Sequence, residues 1–214
     1  MSDTTDWDAV LGSVRVVPVA VVDESDCAVP LACALMEGGL PCVEVTFRTD
    51  AAADVVRLMS QISGFVVGAG SIRTAAQVDI AAAAGASYIV SPGFSADVVR
   101  RARELGIPVL PGVATATEIM MCLDAGIHTV KLFPAEALGG VGMLSALSAP
   151  FRDVSFVPTG GISESNAPSY LQHPAVVAVG GSWMVPKALL SAGDFSAVTQ
   201  LTSRAVALYS ARPS

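Results

Sequence analysis

Short apolar runs rich in β-branched residues alternate along this chain with longer stretches whose apolar positions recur every three or four residues. Eight runs predict strands: 14-VRVVPVAVV-22, 43-VEVTF-47, 65-FVVGA-69, 88-YIVS-91, 107-IPVLPG-112, 129-TVKLF-133, 154-VSFVPT-159 and 176-VVAVG-180. The intervening stretches carry helical spacing, as in 26-DCAVPLACALMEGG-39, 51-AAADVVRLMSQI-62, 74-TAAQVDIAAAAG-85, 95-SADVVRRARELG-106 and 115-TATEIMMCLDAG-126. Gly38, Gly85, Gly106 and Gly126 stand where a left-handed residue would end a helix. Further helices are expected near residues 5–12 and 195–210. Regular β-then-α order implies parallel strands joined by crossover helices. Eight such units predict an α/β fold, a compact (β/α)8 TIM barrel with an additional N-terminal helix, as a single domain over residues 1–214. An open doubly wound sheet is the alternative. It would ordinarily carry G-x-G-x-x-G after its first strand, and 14-VRVVPVAVVDESD-26 has none.

Composition narrows the function. Hydrophobic residues make up 52% of the chain and charged residues 14%, too apolar for a disordered protein. Gly, Pro or charge breaks each apolar run well short of the ~20 residues a membrane helix needs. The start, MSDTTDWDAV, lacks the basic and apolar regions of a signal peptide. Cys27, Cys33, Cys42 and Cys122 form no C-x-x-C pair and read as reduced, packed thiols, so a cytoplasmic location is expected. A net charge of -7 argues against nucleic acid, though local donors in a cleft could still hold a small anion. His128 and His173 are the only histidines and no cysteine cluster joins them, which weighs against a catalytic zinc. No P-loop motif is present.

In a barrel of this kind the active site lies at the C-terminal ends of the strands. Side-chain alternation there places Glu44, Thr46 and Arg48 on the inner face of one strand, with Val43, Val45 and Phe47 toward the helices. A structural Glu44–Arg48 ion pair is one reading. A proton-transfer carboxylate beside a carboxylate-binding arginine is the other. The same alternation turns Thr129, Lys131 and Phe133 inward, with Val130 and Leu132 outward. The chain has two lysines, Lys131 and Lys187, so placing one inside a barrel demands a reason. Burial disfavours an ammonium ion, and a neutral amine can form a Schiff base with a ketone. A purely structural Lys131–Glu44 pair is the plainer explanation, but an inward lysine, glutamate and arginine together favour chemistry. Gly68-Ala69-Gly70-Ser71 offers close backbone approach and a hydroxyl. Paired glycines in 158-PTGGIS-163 and 180-GGSW-183 follow the seventh and eighth strands, the usual phosphate site of such barrels. Ser182 is expected to cap a short helix there and donate its hydroxyl. Lys187 reads as a solvated lysine beyond the barrel.

The segments 43-VEVTFRT-49, 67-VGAGS-71, 91-SPG-93, 111-PGVATATE-118, 130-VKLFPAE-136, 158-PTGGI-162 and 180-GGSW-183 together resemble the 2-keto-3-deoxy-6-phosphogluconate (KDPG) aldolases, some of which act on 4-hydroxy-2-oxoglutarate (KHG). The similarity runs from about Val16 to Tyr209. It implies a homotrimeric class I aldolase with neither metal nor cofactor. Its partners would be a phosphorylated 2-keto acid and pyruvate, with no nucleic acid and no membrane. KDPG would be cleaved reversibly to pyruvate and glyceraldehyde 3-phosphate, and KHG to pyruvate and glyoxylate. By position, Lys131 resembles the Schiff-base lysine and Glu44 the general acid and base. Arg48 and Ser71 would hold the pyruvate-derived carboxylate, and Phe133 would line the pyruvate pocket. Thr159 matches a threonine linked to stereochemical choice at C4, and Gly160, Gly161, Gly181 and Ser182 match the phosphate site. One departure is Ser71, where the family usually has threonine. Loss of the methyl that restricts χ1 should orient the hydroxyl less firmly, with a modest effect on activity. Two alternatives stay open: a phosphosugar isomerase or synthase using Glu44 and Lys131 without an imine, and a non-catalytic barrel that binds phosphorylated sugars.

Overall fold

The computed structural model of the chain describes residues 14–210. The helix expected near residues 5–12 lies outside them. All eight expected strands form: β1 (Val16–Ala20), β2 (Cys42–Thr46), β3 (Val66–Gly70), β4 (Tyr88–Val90), β5 (Val109–Leu110, continued by Gly112–Val113), β6 (Thr129–Leu132), β7 (Ser155–Phe156) and β8 (Val179–Gly181). The helices that follow them are α1 (Ala28–Glu37), α2 (Ala52–Met59), α3 (Ala75–Ala83), α4 (Ala96–Glu104), α5 (Ala116–Asp124), α6 (Gly140–Ser148), α7 (Ala167–Leu171), α8 (Lys187–Ala192) and α9 (Phe195–Ser210).

β1 pairs in parallel with both β2 and β8, within a run of six strands that ends at the first half of β5. Pro111 interrupts β5 because proline has no N–H for the ladder. Its carbonyl still accepts the Lys131 N–H at 2.9 Å, and the second half of β5 leads on to β6 and β7. Parallel bridges Phe156–Val176 and Thr159–Gly180 close the cylinder between β7 and β8. Each strand therefore has a neighbour on both sides, and the closed barrel replaces the open-sheet alternative.

Closure divides the buried residues into two layers. Val43, Val45, Val130 and Leu132 belong to the large cluster shared with the helices, as strand alternation requires. Val17, Tyr88, Val90, Leu110, Val157 and Ala178 form a separate cluster inside the barrel. Thr74, Ser95 and Thr115 cap α3, α4 and α5 by accepting the N–H groups of Gln77, Val98 and Glu118. Gly85, Gly106 and Gly126 are left-handed, as expected, but Gly38 is not. That role falls to Gly39, at φ 91°. Gly38 instead admits α9, since a Cβ there would lie 2.5 Å from Thr202 Cβ.

Candidate active site

The charged residues inside the barrel converge at one end. Glu44 on β2 is 4% exposed and Lys131 on β6 is 5% exposed. The Lys131 ammonium donates to both Glu44 oxygens, at 3.1 and 3.2 Å, and stands 5.4 Å from the Phe133 ring centroid. A buried lysine is tolerable in this form because the carboxylate and the ring face both favour its positive charge. Room for the carboxylate comes from β3, where a Cβ on Gly70 would lie 2.2 Å from Glu44 Oε1.

Arg48 reaches the same mouth by another route. Alternation places it on the inner face of β2, but β2 ends at Thr46. The Arg48 N–H donates to the Thr46 carbonyl at 2.8 Å in a tight turn, and the exposed side chain extends over the opening. Its Nε donates to Ser71 Oγ at 3.1 Å. Among the described residues, Glu44 has Lys131 and not Arg48 as its ion-pair partner. Ser71 itself is held in the left-handed region at φ 59°. A β-branched residue is a backbone outlier there, so serine fits this turn with less strain than threonine would. Its hydroxyl is oriented by Arg48, which supplies the restraint the missing methyl would have given.

Thr159, just past β7, is 6% exposed, and its hydroxyl donates to the Val157 carbonyl at 3.3 Å. It fits inside because a Cβ on Gly180 would lie 2.4 Å from Thr159 Oγ1. Gly160 and Gly161 follow at φ 95° and 80°, a double left-handed turn that side chains rarely adopt. Gly181 lies under the Trp183 ring. Ser182 is exposed but caps no helix: its carbonyl accepts the Val185 N–H at 3.1 Å, and α8 begins later, after Pro186, with no side-chain cap. The expected capping role is therefore corrected. The turn that follows β8 separates Ser182 from α8. Lys187 is exposed as expected and pairs with Asp23 at 2.7 Å.

Glu44, Arg48, Ser71, Lys131, Phe133 and Thr159 line one cavity of about 40 Å³, together with Val19 and Pro92. It adjoins a cleft of about 180 Å³ that shares Arg48, Phe133 and Thr159 and adds Gly160, Gly161, Gly181 and Ser182. All ten sequence-derived candidates thus border two connected spaces, one with a charged pair at its base and one walled by glycine backbone. Val19 and Pro92 were not singled out from the sequence. Val19 alternates with the interior Val17, so the period of β1 could have found it. Pro92 lies in a loop, where no periodicity applies.

A family model for KDPG and KHG aldolases matches residues 7–201. The chain is 50% identical over 195 residues to the 2-dehydro-3-deoxy-phosphogluconate aldolase of Treponema pallidum, spanning 91% of this chain and 93% of that relative. The KDPG aldolase structure of Zymomonas mobilis ZM4 with 3-phosphoglycerate superposes with a TM-score of 0.89 at 41% identity, covering 95% of this chain and 96% of that one. The KDPG aldolase of Legionella pneumophila, with pyruvate captured at low pH as a covalent carbinolamine intermediate, superposes with a TM-score of 0.89 at 40% identity, covering 93% and 97%.

Proposed function

Because this chain belongs to the KDPG and KHG aldolase family, we propose that it is a class I aldolase that reversibly cleaves KDPG to pyruvate and glyceraldehyde 3-phosphate. KHG, cleaved to pyruvate and glyoxylate, is the second substrate. The observation that carries this reading is the buried Lys131–Glu44 pair at the base of a cavity that adjoins a glycine-walled cleft.

The pair provides both a nucleophile and an acceptor for its proton. Lys131 passes a proton to Glu44 across 3.1 Å, and the free amine attacks the C2 ketone. Glu44 returns that proton to the carbinolamine hydroxyl, which leaves as water, and the resulting iminium ion is the electron sink that allows the C3–C4 bond to break. Glu44, through a water, takes the C4 hydroxyl proton, and glyceraldehyde 3-phosphate departs. The remaining enamine is protonated at C3, and hydrolysis releases pyruvate and restores the amine. A single carboxylate serves each proton transfer. Arg48 uses its Nε on Ser71, which leaves its two terminal nitrogens for the substrate carboxylate. Phe133 lines the pyruvyl pocket, and Thr159 faces C4 and its configuration. The backbone of Gly160, Gly161 and Gly181, with the Ser182 hydroxyl, receives the phosphate.

Incubation with pyruvate and borohydride, followed by peptide mass spectrometry, tests the imine. A pyruvyl adduct on Lys131 is expected, with Lys187 unmodified. A folded protein that forms no adduct, or forms it on Lys187, overturns the aldolase reading and returns the acid–base isomerase to consideration. A homotrimer belongs to the same proposal. Ile80, Met120 and Met121 are exposed apolar side chains of the kind that a contact between copies covers, and light scattering gives the native mass. Four free cysteines are in keeping with a reducing, cytoplasmic setting.

A further inference from the structure

The Gly160–Gly161 turn is gripped from the side away from the cleft. The Gly160 carbonyl accepts the Glu136 N–H at 3.1 Å, and the Gly161 carbonyl accepts Asn166 Nδ2 at 3.0 Å. Asn166 is fixed in turn, because its Oδ1 accepts the Ser163 N–H at 2.8 Å. The Glu136 stem packs directly on the turn: a Cβ on Gly161 would lie 2.6 Å from Glu136 Cβ. Its carboxylate accepts the hydroxyl of Tyr170, a residue of α7 that is 1% exposed. Burial, and then the carboxylate itself, push that hydroxyl well above its ordinary pKa, so it remains a donor. Neither Glu136 nor Tyr170 lines the cleft. Among the described residues, the Gly161 N–H donates to no acceptor.

With both carbonyls held behind the turn, its N–H side is left to the cleft. An anion gains from such N–H groups only if they are already oriented when it arrives. We propose that Glu136 and Tyr170 are positioning residues for phosphate recognition: Tyr170 anchors Glu136, and Glu136 holds the Gly160–Gly161 turn with its N–H groups toward the substrate phosphate. The proposal rests on the reading of that turn as the phosphate site.

The test compares Tyr170→Phe, Glu136→Ala and Glu136→Gln with the unaltered enzyme, using KDPG, the unphosphorylated KHG, and inorganic phosphate as a competitive inhibitor. Tyr170→Phe and Glu136→Ala should raise KM for KDPG and Ki for phosphate together, by about three- to tenfold, the worth of one hydrogen bond. The kcat for KDPG and the KM for KHG should stay within about twofold of the unaltered enzyme. Glu136→Gln keeps an acceptor for Tyr170 and should restore most of the loss. Equal changes with both substrates, or unchanged Ki for phosphate in both disrupting variants, overturn the proposal while leaving the phosphate site intact. An unaltered enzyme that phosphate does not inhibit removes the site reading and the proposal with it.

Discussion

The floor and the mouth of the barrel are built on the same strands by the same device, yet they hold opposite chemistry. At the floor, Gly68 on β3 admits the Tyr88 ring, which a Cβ would meet at 2.2 Å. Two residues further along the same face, Gly70 admits the Glu44 carboxylate, also at 2.2 Å. The floor is then sealed by apolar side chains, and its one hydroxyl is satisfied by backbone, with Tyr88 donating to the Val43 carbonyl at 3.2 Å. At the mouth, Lys131 pairs with Glu44 and Arg48 with Ser71, side chain to side chain beside open space. β2 repeats the contrast. Cys42, two residues before Glu44, is kept neutral because burial pushes its thiol up to about 12, whereas Glu44 finds a cation. One layer of this interior is therefore closed, and the next is available to a ligand.

The largest expected effect comes from removing the mouth's cation. Lys131→Met should abolish turnover and pyruvate trapping. It should also destabilise the fold by about 3–5 kcal/mol, because Glu44 is left buried without a partner. Adding Glu44→Gln should recover much of the melting temperature and none of the activity. If the single variant melts like the parent, Glu44 does not depend on Lys131 for its burial.

The two β3 glycines provide a sharper contrast. Gly70→Ala should shift the carboxylate and lower kcat by about 10²-fold, the consequence of a displacement near 1 Å. Gly68→Ala should leave kcat of the folded fraction nearly unchanged and lower stability by about 1–3 kcal/mol through overpacking against Tyr88. Denaturant titration and steady-state rates on both variants decide it, and an activity loss confined to Gly68→Ala would break the division into floor and mouth. Ser71→Ala should have a smaller effect. Without the acceptor for Arg48, KM for KDPG should rise by about two- to tenfold, with little change in kcat. The smallest effect concerns reactivity alone. Exposed Cys33 should be alkylated first at neutral pH, while Cys42 and Cys122, whose thiols burial holds up to about 12, should react only after denaturation.

What could be read beforehand followed from period. Strand alternation located Glu44 and Lys131 correctly because both lie within regular strands, where facing is a local property. Arg48 shows where the rule stops: the strand has ended, and a turn rather than the pleat delivers the side chain. Gly38 failed similarly, since left-handedness belongs to the next residue and Gly38 serves a contact with Thr202. Helices α6 and α7 leave little periodic signal in the sequence. The first is rich in Gly and Ser, and the second spans five residues, too short for an amphipathic stripe to register.

From sequence alone came the eight β–α units, the inward lysine and glutamate, the glycine pairs after the last two strands, and the resemblance they add up to. Only the tertiary structure decided which of these groups touch. Lys131 and Glu44 are 87 positions apart, on strands that are not neighbours in the ring, and they meet because the barrel closes. Tyr170 on α7 reaches Glu136, in the turn after β6, across 34 positions through the packing of two successive β–α units. Hydrophobic periodicity reports the environment of a residue within its own element. The partner across the barrel depends on how all the elements close together, and no local pattern carries that information.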